Sequence, residues 1–94
     1  MPASVMARVI FTPHLQRHVT VPPCEAPGAT VREVLDRVFA EHPRARGYVL
    51  DEHGAVRHHV LIAVGGEFLR DRASLSDPVP PDGEIYVLQA LSGG

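Results

Sequence analysis

Thr30-Val31-Arg32-Glu33-Val34-Leu35-Asp36-Arg37-Val38-Phe39-Ala40-Glu41 is the stretch on which the fold turns. Thr30 and Glu33 stand three apart, the spacing of a capping box, in which hydroxyl and carboxylate each satisfy an otherwise unpaired backbone donor. Val31, Val34, Leu35, Val38 and Phe39 then recur at i, i+3, i+4, i+7 and i+8, a single apolar stripe. Glu33 and Arg37 fall at i, i+4 in the favourable order. Pro43 disfavours helical geometry at His42, so the helix closes near Glu41. An amphipathic helix needs an apolar surface to cover, and the flanking sequence supplies strands.

Upstream, Ala7-Arg8-Val9-Ile10-Phe11-Thr12 reads as a first strand ended by Pro13, which cannot donate to a ladder. Arg8 marks its wet face; Ile10 shares that face, and Val9 and Phe11 point inward. His18-Val19-Thr20-Val21 predicts a short second strand, stopped by Pro22 and Pro23, with Cys24 in the loop that follows. Downstream, Tyr48-Val49-Leu50 is a short apolar run of undecided type, and Asp51-Glu52-His53-Gly54 is a turn. Val60-Leu61-Ile62-Ala63-Val64 is continuous and apolar, which predicts a strand covered on both faces. Gly65-Gly66 turns the chain and Glu67-Phe68-Leu69 returns it. A proline-rich loop over 77–83 leads to a final strand over 85–91, where Glu84 marks the wet face shared by Tyr86 and Leu88.

The order is β-β-α-β-(β)-β. One helix across a mixed sheet is the economical way to bury the stripe, and the apolar last strand belongs near the sheet's centre. The expectation is an α+β fold of the β-grasp, or ubiquitin-like, kind, with a domain over 1–91 and a flexible Ser-Gly-Gly tail over 92–94.

Composition narrows the function. The chain has 94 residues and a formal net charge of −2, enough for one modest core and without the basic field that nucleic acid requires. No apolar run approaches a membrane span and the N-terminus lacks the pattern of a signal peptide, so a cytoplasmic location is expected. The single cysteine, Cys24, cannot form an internal disulfide, in keeping with a reducing compartment. All nine basic residues other than histidine are arginine. With no lysine, the chain offers no ε-amine to capture the activated terminus of a sister molecule.

The sequence closes on Ala90-Leu91-Ser92-Gly93-Gly94. Glycine has no Cβ, so such a stalk threads a narrow channel in a partner, and three extended residues reach roughly 10 Å. With this end, the chain resembles the MoaD/ThiS family of ubiquitin-like sulfur carrier proteins. The resemblance is carried by Arg8-Val9-Ile10-Phe11, by Thr30 to Leu35, by Leu50-Asp51-Glu52-His53-Gly54, by Val60 to Glu67, by Asp82-Gly83-Glu84-Ile85 and by Ser92-Gly93-Gly94. In length and pattern it is closest to the cysteine-biosynthesis type. Gln89-Ala90 stands where small subunits of molybdopterin synthase have prolines.

A carboxylate is a poor electrophile, so the terminus needs activation before it accepts sulfur. The resemblance implies that Gly94 is adenylated by an E1-like enzyme with ATP and converted to a thiocarboxylate by a sulfur donor. Gly93 lets the tail enter the partner's active site. The chain is then a protein co-substrate and not an enzyme, with no bound cofactor. The implied partners are an E1-like adenylyltransferase and sulfurtransferase, a sulfur-accepting biosynthetic enzyme, and a metalloprotease that trims the C-terminus. Partner contacts are expected at Ile10, Phe68, Leu88 and Leu91, beside Tyr86. Two alternatives share the activated tail: a small subunit of molybdopterin synthase and a ubiquitin-like protein modifier. The receiving pathway stays open between cysteine, molybdopterin, thiamine and a natural product.

Other candidates are weaker. A reactive Cys24 needs a depressed pKa and has no evident cationic neighbour apart from histidines. His58 and His59 are adjacent, so in a strand they point to opposite faces and cannot share a metal. His14 and His18 would pair only on a helix, which Pro13 and Val19-Thr20-Val21 argue against. No metal site is expected.

Overall fold

The computed structural model describes residues 6–80 and 82–90. Strand β1 (Met6–Phe11) leads into a one-turn helix α1 (Pro13–Gln16), then strand β2 (Cys24–Pro27), helix α2 (Val31–Glu41) and helix α3 (Pro43–Val49). Strands β3 (Val60–Val64), β4 (Glu67–Phe68) and β5 (Glu84–Gln89) complete the order. The five strands form one sheet in the order β2-β1-β5-β3-β4. β5 is central; it runs parallel to β1 and antiparallel to β3. This is a mixed β-grasp sheet.

The stripe on α2 does what its spacing predicts. Val31, Val34, Leu35, Val38 and Phe39 are all buried. They join Val9 and Phe11 of β1, Ile62 of β3, and Ile85 and Val87 of β5 in a single core. The cap differs in one detail. Glu33 N–H donates to Thr30 Oγ1 at 3.3 Å, but the Glu33 carboxylate accepts from the N–H of Ala29, at 2.8 Å, one residue before the N-cap. Glu33 is thereby engaged at the helix start, and the i, i+4 ion pair on α2 is Arg32 with Asp36, at 3.9 Å. Gly28 lets the incoming loop lie against α2, because a Cβ there would come within 2.8 Å of Val34 N.

The second strand is displaced from its expected position. Residues 18–21 form no strand; β2 begins at Cys24, so this cysteine opens an edge strand and does not sit in a loop. The reason is Gln16. Its side-chain amide donates to Val21 C=O at 2.7 Å and to Phe11 C=O at 3.1 Å, and its carbonyl accepts from Val21 N–H at 2.9 Å. One side chain thus takes the backbone groups that a ladder would have used. Pro13 ends β1 but also begins α1 at the first helical position, where its missing N–H costs nothing. The expectation that it forbids a helix there fails for this reason. Pro43 acts in the same double way, closing α2 and starting α3, which absorbs Tyr48 and Val49. At the β3–β4 turn, Gly65 and Gly66 have φ of 59° and 89°, the left-handed pair that a two-residue hairpin favours.

Candidate functional site

Sheet alternation gives β5 two characters. Ile85 and Val87 are fully buried, whereas Tyr86 and Leu88 are half-buried on the opposite face. Strand register extends this open face across the molecule. Ile10 pairs with Tyr86, Tyr86 with Ala63, and Ala63 with Phe68, so one row crosses β1, β5, β3 and β4. Leu88 pairs with Leu61 in the next row, toward the end of β5 from which the tail departs. Phe68 is 62% exposed, unusual for so large an apolar side chain. At the far end, Arg8 pairs with Glu25 on one side and Glu84 on the other, giving a charged border.

The structure therefore brings Ile10, Phe68, Tyr86 and Leu88 onto one face, with Leu88 nearest the tail. Leu91, Gly93 and Gly94, and with them the predicted tail, lie outside the described residues. Leu61 and Ala63 also belong to this face but were not singled out by the sequence. A continuous apolar run suggested a strand covered on both sides; instead only Val60 and Ile62 are buried, and Leu61, Ala63 and Val64 are half-exposed. The signal that distinguishes them is register with Tyr86 and Leu88, which only the sheet order supplies.

At the exit of β5 the chain is held by several contacts. Ala90 N–H donates to His59 C=O at 2.8 Å. Tyr48 Oη is 3.0 Å from Gln89 Oε1, to which it donates. The Tyr48 ring stacks on His18, with centroids 5.2 Å apart, and meets His59 edge-on at 4.9 Å. Burial, and secondarily the Glu41 carboxylate, push the Cys24 thiol pKa up, opposite to the depression that a reactive thiol needs. Among the described residues, no group of three or more His, Cys, Asp or Glu is arranged to hold a metal ion, and no helix is long and apolar enough to cross a membrane.

The model of the ThiS family matches residues 18–94, which includes β2 to β5 and the closing Gly93-Gly94. The chain belongs to the ThiS family. No curated protein matches its sequence significantly. Among solved structures, a chain of the Amycolatopsis orientalis BexX/CysO complex superposes with a TM-score of 0.76 at 26% identity, covering 94% of this chain and 99% of that one. SAMP1, the small archaeal modifier protein 1 of Methanosarcina acetivorans, gives 0.77 at 18% identity, covering 99% and 100%. Mycobacterium tuberculosis CysO gives 0.75 at 20% identity, covering 90% and 99%. The fold is thus the ubiquitin-like β-grasp shared with CysO and SAMP1.

Proposed function

We propose that this ThiS-family protein is a cytoplasmic sulfur carrier whose sulfur rides on Gly94. The Gly94 carboxylate attacks the α-phosphate of ATP on an E1-like enzyme and releases pyrophosphate, giving an acyl-adenylate. A sulfur nucleophile then attacks the acyl carbon, and AMP leaves. The resulting thiocarboxylate is nucleophilic at neutral pH and is consumed by a sulfur-accepting biosynthetic enzyme. A metalloprotease that exposes the Gly-Gly end is a further partner where the protein is made with an extension. The chain supplies the carboxylate and the docking surface; its partners supply the catalysis.

The observation that supports this reading is the family match running through to Gly94, combined with an apolar face that ends beside the strand leading to it. Ile10, Tyr86, Leu88, Leu61 and Phe68 form a contiguous apolar patch, the kind of surface that marks protein association. That CysO from A. orientalis forms a complex with BexX supports a partner protein as the occupant here too.

Intact mass spectrometry after incubation with the cognate activating enzyme, Mg-ATP and a sulfur source tests the reading. The expected result is exchange of one terminal oxygen for sulfur, lost on deletion of Gly94 and blocked by an added residue in the absence of a trimming protease. A product in which Gly94 is joined by an amide bond to lysines of other proteins would instead assign it as a modifier. Equal sulfur uptake by native, truncated and extended chains would overturn any role for the terminus.

A further inference from the structure

We infer that Tyr48 is a positioning residue that fixes the point from which the C-terminal segment leaves the fold, an inference that rests on the sulfur-carrier reading. Gln89 is the last residue of β5, and Ala90 the last described before the tail. Both are tied to elements distant in sequence. Tyr48, on α3, donates to the Gln89 side chain at 3.0 Å across 41 residues of chain. The Ala90 amide donates to His59 C=O.

These anchors are themselves held. His18 and His59 contact two sides of the Tyr48 ring, which fixes the direction of its hydroxyl. Arg72 Nη2 donates to Arg57 C=O at 2.7 Å and to Val60 C=O at 2.9 Å, bracketing the segment that carries the His59 carbonyl. Arg57 in turn donates from Nε to Gly47 C=O at 3.0 Å, joining that segment to α3 one residue from Tyr48. The hydrogen bonds close a ring: α3 to Gln89, Ala90 to residue 59, residue 57 back to α3. A ring of this kind adds little to a core that is already complete. Its effect is local, and it acts where geometry matters for an acyl transfer in a partner's site.

The chemistry sets the size of the effect. Adenylation requires the Gly94 carboxylate in line with an α-phosphate, and a displacement of about 1 Å at reacting atoms costs on the order of 100-fold in rate. Tyr48 and the Ala90 hydrogen bond act at the root of the segment that carries Gly94. Releasing Tyr48 from Gln89 widens the spread of directions at residue 90 without touching the open face that docks the partner.

Tyr48→Phe removes only the hydroxyl and keeps the ring between the two histidines. Thiocarboxylate formation by an activating enzyme that loads the native chain should then show kcat lowered by about 5- to 10-fold, a fraction of the full misplacement cost, with KM for the carrier unchanged. Gln89→Leu should reproduce the loss, and the double variant should be no slower than the slower single one, because both remove the same bond. Amide hydrogen exchange at Ala90 should rise in Tyr48→Phe while core amides stay protected. A variant that keeps the native kcat overturns the inference and leaves the carrier reading intact. A rise in KM alone also overturns it, since Tyr48 would then belong to the docking surface. A native chain that no activating enzyme loads overturns both.

Discussion

The two faces of the central sheet are built by the same strands and serve different ends. On the helix side, Val9, Ile62, Ile85 and Val87 are at most 1% exposed and share one core with the apolar stripe of α2. On the other side, their chain neighbours Ile10, Leu61, Tyr86 and Leu88 are half-buried, and Phe68 stands out in solvent. Both sets are apolar, so composition does not separate them; coverage does. The helix completes one face within the chain and nothing in the described residues completes the other. The difference teaches that the first face stabilises the fold, while the second leaves apolar surface that the carrier reading proposed above assigns to a partner.

Substitution on each face breaks or sharpens this contrast. The largest effect is expected at Leu35, 1% exposed on the covering helix: Leu35→Ala should cost roughly 2–5 kcal/mol in chemical denaturation. A loss below about 1 kcal/mol would mean that the covered face is not packed as a core. Leu88→Asp should do the reverse. Stability should change by less than about 1 kcal/mol, while loading by the activating enzyme falls at least about tenfold, or 1.4 kcal/mol. Unfolding of this variant, or undiminished loading, would erase the distinction between the faces. Phe68→Ala, at the exposed edge of the row, should alter stability by less than about 0.5 kcal/mol and weaken partner binding in a titration, and a drop in Tm would show that it belongs to the core after all.

The smallest effect lies on neither face. The Asp71 carboxylate accepts from the Ser76 hydroxyl and from the backbone N–H groups of Ser74, Ser76 and Ala73, which hold its pKa below the ordinary value. A depressed carboxylate stabilises the fold above its unfolded pKa of about 4, and that contribution is lost as pH falls through the lower folded value. Asp71→Asn should therefore lower Tm slightly at neutral pH and flatten its decline below about pH 4. Superimposable acid profiles of the two proteins would remove Asp71 from the account.

Much of the fold was legible because its signals are local. The stripe and cap of α2, the alternation of β1 and β5 and the diglycine turn each declare themselves within about ten residues. The errors fall where one local signal has two meanings. Residues 18–21 alternate like a strand, yet Gln16 claims the backbone of Val21. Pro13 and Pro43 read as stops and are also starts. The open face was legible at Ile10, Phe68, Tyr86 and Leu88 from the polar markers Arg8 and Glu84. Leu61 and Ala63 were not, because their membership depends on pairing with β5. Tyr48 was out of reach for the same reason: its partner Gln89 is 41 residues away and neither residue type announces the other.

The place of β5 has a consequence for synthesis. The strand that sits in the middle of the sheet is the last of the five to leave the ribosome. Until it emerges, β2 with β1 and β3 with β4 are two separate pairs flanking a gap, and two-stranded pieces are marginal in water. The β1–β5 pairing joins the two ends of the chain, and pairings of such long range are intrinsically slow to form. A product that stops before residue 84 lacks both the end that would bear sulfur and the strand that makes folding possible. Chains truncated there are therefore left as unjoined strand pairs, open to proteolysis.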